Sequence, residues 1–71
     1  MKFIEANYLD YNEATKRWDI PRPAMVNIEE ITYVMDTGRG NTTIGAGRTS
    51  FELAEPYNLV MWRIKEANGS R

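Results

Sequence analysis

The glycine-rich stretch over residues 38–47 is the first place where residue types and spacing could support chemistry. Gly40 and Gly45 have the G-x-x-x-x-G spacing of a phosphate-binding loop. Ala46 and Gly47 stand where such a loop needs Lys and Ser or Thr, and strand-forming residues lie on both sides, where a phosphate loop would run into a helix. We therefore expect these glycines to form hairpin turns.

Acid–base, nucleophilic and metal chemistry lack their usual side chains. The chain has no Cys and no His, which argues against zinc and iron–sulfur sites, disulfides, Cys nucleophiles and His bases. Glu29 and Glu30 are adjacent, whereas a glycosidase needs two carboxylates facing each other across a cleft. We expect both, with Asp36 and Glu52, on a solvated face. The sequence therefore predicts no enzyme activity, no cofactor and no metal.

Basic and aromatic residues make nucleic-acid binding an alternative function. Lys16-Arg17-Trp18 joins two cations to a ring on which a base could stack, and arginines on predicted turns could reach phosphates. The net charge of −1 weighs against strong nucleic-acid binding. The candidate contacts are Lys16, Arg17, Trp18, Arg22, Arg39 and Arg48.

The C-terminal segment has more apolar surface than one core-facing stripe needs. From Tyr57 to Ile64 the i, i+3, i+4, i+7 spacing predicts an amphipathic helix. Leu59 and Trp62 form a second apolar strip beside it, and Trp is enriched at the centres of protein interfaces. Trp62 could equally cap the core, and the residues alone leave both readings open. We predict a protein interface at Leu59 and Trp62, with a second copy or another protein as the partner.

The elements that must position these residues follow from hydrophobic periodicity and turn residues. The pattern predicts strands or extended segments over residues 2–11, 17–20, 24–27, 32–36, 42–44 and 49–53, and a helix over roughly 55–67. Pro21 and Pro23 place their segment at a sheet edge or in a loop. Ile28 and Ile31, three apart, predict a single helical or 3₁₀ turn, or a tight corner with both side chains pointing inward.

These elements predict an α+β fold, a meander of five or six short antiparallel strands with one C-terminal amphipathic helix packed on the sheet. Aromatic and aliphatic residues at alternating or helical spacing supply the expected core. The core residues we expect are Ile4, Tyr33, Met35, Ile44, Phe51, Leu53, Val60 and Ile64.

Length and composition predict one small globular domain over residues 1–71. Charged residues make up 27% and hydrophobic residues 42%, the balance of an ordinary globular domain. No apolar run approaches the roughly 20 residues of a membrane span, and the polar first residues argue against a signal peptide. We expect a cytoplasmic protein with no membrane partner. Its small size makes oligomerisation an attractive way to bury more surface.

Part of the chain resembles a known group of bacterial proteins. Val26-Asn27-Ile28-Glu29-Glu30-Ile31, Thr43-Ile44 and the run from Phe51 to Tyr57 are similar to an Asn corner, a Thr-Ile strand and a Glu-initiated helix in small FlbD-type and prophage-encoded bacterial proteins. The resemblance covers residues 26–64. It implies a small α+β fold of bacterial or phage origin, and it supplies no catalytic residues.

Overall fold

The computed structural model describes residues 2–69, which form a curled antiparallel sheet, a short two-stranded arm and a C-terminal helix. The predicted α+β class is confirmed. The elements are β1 (Phe3–Leu9), β2 (Tyr11–Asn12), β3 (Arg17–Trp18), β4 (Arg22–Asn27), a 3₁₀ turn (Ile28–Glu30), β5 (Ile31–Asp36), β6 (Thr42–Ala46), β7 (Thr49–Leu53) and α1 (Tyr57–Gly69).

The N-terminal half is one long hairpin with a bulge. β1 pairs with β4 as far as Tyr8↔Arg22, and β2 then pairs with β3 from Tyr11↔Trp18. Between these two pairs lie two residues on the first strand, 9 and 10, and three on the returning strand, 19–21. The returning strand therefore carries an extra residue, as in a β-bulge. The bulge falls at the Ile20-Pro21 step, and Ile20 is 84% exposed. We call residues 10–19, beyond the bulge, the arm.

The five-stranded sheet has the order β4-β1-β7-β6-β5. Its edge strands β4 and β5 are nevertheless separated in sequence by only the 3₁₀ turn, Ile28–Glu30. The sheet must therefore curl, so that its two edges converge at this turn. The Asn27 side-chain oxygen accepts from the Glu29 N–H at 3.0 Å and caps the turn, which confirms the turn predicted from the isoleucine spacing.

The core lies on the inner face of the curled sheet, under α1. Ile44, Leu53 and Val60 have no exposed surface, and the helical residues Ile64 and Ala67 pack against the same cluster. The other members are buried or partly buried aliphatic and aromatic side chains of the sheet and the 3₁₀ turn. They are Ile4, Ala6, Val26, Ile28, Ile31, Val34 and Phe51.

Two predicted core residues lie outside the core. Tyr33 is 48% exposed and Met35 52% exposed, whereas Val34 between them packs against the core. The β5–β6 register shifts between Ile31 and Tyr33. Because side chains alternate between faces, this irregularity lets Ile31 and Val34 face inward and turns Tyr33 and Met35 outward.

The glycines of residues 38–47 serve two structural purposes. Gly38, Gly40 and Gly47 have φ of +84°, +89° and +63° in the turns flanking β6, which confirms the predicted hairpin turns. Gly45, predicted to lie in a turn after the strand over residues 42–44, instead lies inside β6, opposite Tyr33. A Cβ at position 45 would overlap the Tyr33 ring, so the ring requires glycine beneath it.

The C-terminal helix begins two residues later than predicted, at Tyr57, and reaches Gly69. Pro56 precedes it, and the Pro56 carbonyl accepts from the N–H groups of Leu59 and Val60, both at 3.1 Å. Among residues 2–69, no helix is long and apolar enough to cross a membrane.

Candidate protein interface

The outward side of α1 carries Trp62, which is 58% exposed, while Leu59 is half-buried. Successive helical residues are about 100° apart, so Trp62 lies about 160° from both Val60 and Ile64 around the helix axis. Because those two residues pack in the core, Trp62 points away from it. The structure therefore does not use Trp62 as a core cap.

Phe3 shares a groove with Trp62. The groove lies between β1 and α1 and is also lined by Glu5 and Glu66. Phe3 is 41% exposed, because its neighbour Ile4 takes the inward position in β1. We call Phe3, Leu59 and Trp62 the Trp62 face. Phe3 was not predicted from the sequence as an interface residue, although the alternation in β1 offered the signal.

A buried carboxylate and an arginine hold α1 against β1 beneath this face. β1 pairs with β7 at Tyr8 and Leu9, so the earlier residues of β1 lie beyond that ladder. The Asn7 N–H donates to Glu55 Oε1 at 3.3 Å. Arg63 Nη1 donates to the Glu5 carbonyl at 2.8 Å and to Glu55 Oε2 at 2.9 Å. The Glu55 and Arg63 side chains therefore form hydrogen bonds with β1 backbone groups that are not paired with β7.

Glu55 is held from a further direction. Its backbone carbonyl accepts from the buried Thr42 hydroxyl at 2.7 Å, and its Oε2 accepts from Asn7 Nδ2 at 3.3 Å. We call Glu55, Arg63 and Asn7 the clasp. The clasp ties Glu55 and α1 to β1, and the Thr42 hydroxyl ties Glu55 to β6, beneath the groove between Phe3 and Trp62.

The arm collects half of the proposed nucleic-acid contacts. Trp18 packs edge-on against Tyr11, with ring centroids 5.0 Å apart and planes at 71°. The Asn12 side chain accepts from the next turn's N–H groups, and Lys16 completes the turn at a positive φ of 59°. Lys16, Arg17 and Trp18 are all exposed on the arm, with Arg22 following the bulge at the start of β4. Because side chains alternate along a strand, Arg17 and Trp18 point to opposite faces of the arm.

Arg39 and Arg48 do not join this group on one surface. Arg39 lies in the turn before β6 and Arg48 in the turn after it, so the length of a strand separates them. Arg39 Nη2 also pairs with Glu52 Oε2 at 3.4 Å. Glu52 is therefore half-buried and paired, rather than on the solvated face where it was expected.

A second apolar feature, absent from the sequence argument, lies beside β4. It is a cleft of about 300 Å³. By register, Ala24 and Val26 of β4, Ala46 of β6 and Phe51 of β7 share the inner face with buried neighbours. The cleft is lined by Tyr8, Ala24, Val26, Glu30, Ala46 and Phe51, among others. The cleft remains open because the inward-facing side chains at positions 24 and 46 are small. Local sequence could not predict that these two residues lie close together, because their proximity depends on the curl of the sheet.

Tyr8 and Phe51 form the aromatic part of this cleft. Their ring centroids lie 6.0 Å apart, with the planes tilted by 51°. Glu30 contributes its carboxylate-bearing side chain from the 3₁₀ turn.

Comparison with known proteins adds no relative to this description. No family model matches the chain, and neither the curated proteins nor the solved structures contain a match. Across residues 2–69, no three Asp or Glu side chains are grouped so that they could hold a metal ion.

Proposed function

We propose that this chain is a non-enzymatic protein-interaction module that acts in the cytoplasm. It associates with a second copy of itself or with another protein, and the Trp62 face is its contact surface. The observation that carries the proposal is the 58% exposure of Trp62, on the helix side opposite the core and beside the exposed Phe3. Aromatic side chains that are buried on association dominate the energetics of many interfaces.

The exposed part of Trp62 is large enough to matter energetically. A Trp side chain buries on the order of 150–250 Å² in total, so covering the 58% that is exposed removes roughly 90–145 Å² from water. At about 25 cal/mol per Å², that burial contributes about 2–4 kcal/mol. Leu59, half-buried one helical turn away, would extend the apolar contact.

Light scattering over a concentration series tests the self-association part. Where the Trp62 face joins two copies, the mass exceeds the 8.2 kDa monomer at high concentration and Trp62→Glu lowers it; where it binds another protein, Trp62→Glu abolishes that binding and leaves the mass unchanged. Met35→Glu is the matched control, because Met35 is 52% exposed and lies on the sheet, away from the helix. A Trp62→Glu variant with unchanged mass and unchanged partner binding would reject the Trp62 face.

Weak nucleic-acid binding is the alternative function, favoured by one observation. The arm exposes Lys16, Arg17 and the Trp18 ring within three consecutive residues, a combination suited to phosphate contact and base stacking. Titration with a short single-stranded oligonucleotide at several salt concentrations tests it. Phosphate contacts require affinity to fall as salt rises, so a flat response would reject this alternative.

A further inference from the structure

The edge of β4 that faces away from β1 combines exposed apolar side chains, an apolar cleft and charged groups of both signs that complement one another. Ile28 N–H donates to the Lys2 carbonyl at 3.0 Å, and Ile4↔Val26 and Ala6↔Ala24 continue the same register. These residues therefore direct their backbone groups toward β1, and Met25 between them directs its own toward the free edge. Met25 is 62% exposed and borders the apolar cleft.

Ile20 is the most exposed large apolar side chain described, at 84%. It lies at the bulge, and the following Pro21 restricts it to extended conformations. Presenting an apolar side chain on a stiff segment lowers the entropy lost when it is buried by a partner. Ile20 lies just before the start of β4, and Val26, which lines the cleft, lies near the end of β4, so the two residues flank Pro23 on opposite sides.

Charges of opposite sign lie beyond the two ends of β4, with the basic pair on the arm and the acidic pair in the 3₁₀ turn. Lys16 and Arg17 precede Pro23 by seven and six residues, and Glu29 and Glu30 follow it by six and seven. All four side chains belong to exposed residues, and within residues 2–69 none of them forms an ion pair with its own chain. A two-fold axis near Pro23 would bring each basic pair toward the acidic pair of the other copy.

We infer that a second copy of this chain docks along β4, reciprocally, about a two-fold axis near Pro23. In this dimer Ile20 of each copy enters the cleft of the other, and Lys16 and Arg17 face the other copy's Glu29 and Glu30. The inference rests on the self-association in the proposed function but assigns it to the β4 edge, which leaves the Trp62 face free for a different protein.

Pro23 decides what kind of contact this is. It lies at an outward-directed position of β4 and has no N–H, so the two edges cannot form a continuous hydrogen-bonded ladder. The dimer is therefore held by insertion of Ile20 and by charge pairing on each side of the axis. A two-fold contact of this kind is closed and does not propagate into fibres.

Charge reversal in two separate variants gives the decisive test, by light scattering at low ionic strength. One variant carries Lys16→Glu with Arg17→Glu, and the other carries Glu29→Lys with Glu30→Lys. Each is expected to remain a monomer where the wild type is a dimer of about twice 8.2 kDa, with the dimer affinity lowered by on the order of tenfold or more. Mixed in equal amounts, the two variants pair opposite charges at both ends and should form the dimer again.

The mixture also excludes misfolding as the cause of dissociation, since a misfolded variant would not recover. Lys65→Glu with Arg48→Glu is the control, because it changes the net charge as much as the Lys16 and Arg17 variant does, at exposed residues of α1 and of the β6–β7 turn. The inference is overturned if the wild type is monomeric throughout, if the charge variants dimerise like the wild type, or if their mixture stays monomeric.

Ile20→Asp separates this inference from the Trp62 face. At 84% exposure, Ile20 can be replaced without loss of folded structure, and the variant is expected to be monomeric. Dissociation by Trp62→Glu, with Ile20→Asp still dimeric, would keep the proposed function and overturn the β4 contact. Dissociation by Ile20→Asp alone would support the β4 contact.

Discussion

Replacing Arg63 with Met tests the clasp that holds α1 against the sheet. Arg63→Met keeps an unbranched apolar stem but removes the hydrogen bonds to the Glu5 carbonyl and to Glu55. The Glu55 carboxylate, with 11% of its side chain exposed, then lacks its cation. It keeps two longer contacts with Asn7 at 3.3 Å.

The expected cost follows from burial. Removing one partner of a fully buried ion pair costs about 3–5 kcal/mol. The Arg63 side chain is 30% exposed, so water partly replaces it, and we expect a loss of about 2–3 kcal/mol. For a domain of this size each kcal/mol lowers Tm by about 4–8 °C, which gives a decrease of roughly 10–20 °C.

Urea and thermal unfolding followed by far-UV circular dichroism measure this loss. Tryptophan fluorescence is unsuitable, because Trp62 is adjacent to the substitution and would report local change. Arg39→Met is the matched control. Its ion pair with Glu52 is longer, at 3.4 Å, and the Arg39 side chain is 64% exposed, so we expect a cost below about 1 kcal/mol.

A second substitution distinguishes the stability lost through the unpaired Glu55 charge from the stability lost through side-chain packing. In the Arg63→Met background, Glu55→Gln removes the unpaired charge while keeping an acceptor for the Asn7 N–H. It should recover part of the lost stability. If Arg63→Met costs no more than Arg39→Met, or if Glu55→Gln recovers nothing, the clasp is not a stabilising element.

Two further predictions concern the sheet, beside the Trp62 and β4-edge tests given above. Gly45→Ala should cost about 1–3 kcal/mol because its Cβ overlaps the Tyr33 ring, and the cost should vanish in a Tyr33→Ser background. An equal cost in both backgrounds, measured by urea unfolding, would contradict this. Leu53→Ala should cost about 2–5 kcal/mol, because Leu53 is fully buried, whereas Met35→Ala should stay within about 0.5 kcal/mol. Comparable urea midpoints for the two variants would contradict the assigned faces of β5 and β7.

Local patterns identified the elements whose signals lie within a few residues. Strand β7 has the predicted bounds, because clean alternation from Thr49 to Leu53 follows a glycine turn. The 3₁₀ turn followed from Ile28 and Ile31 with polar residues between them. Both signals lie within a few neighbouring residues, and the folded chain keeps the elements that they predict.

Residue types could not assign the faces of β5. Tyr33, Val34 and Met35 are all apolar or aromatic, so either alternation could face a core. The irregular pairing with β6 turns Val34 toward the core. A shift of one residue in the pairing exchanges all the inward-facing side chains of a strand for the outward-facing ones. The orientation of Trp62 was undetermined for a related reason. The core-facing side of α1 depends on where the curled sheet opens, which is a property of strand order.

Both proposed contact surfaces follow from that strand order. Placing β4 and β5 at opposite edges, with only the 3₁₀ turn between them, forces the sheet to curl. One opening of the curled sheet is covered by α1, which leaves Phe3 and Trp62 pointing outward. The opening beside β4 has no such cover among residues 2–69 and remains as the cleft.

The linings of the Trp62 groove and the cleft meet along the β1–β4 ladder, but Trp62 on α1 and Ile20 at the bulge belong to neither of these paired strand segments. Substitutions at sites that share no contacts usually act additively. Trp62→Glu should therefore leave dimerisation through β4 unchanged, and Ile20→Asp should leave binding by the Trp62 face unchanged. A chain this small can in that case recognise its own copy and a second protein at the same time, because its curled sheet has two openings and its one helix covers only one of them.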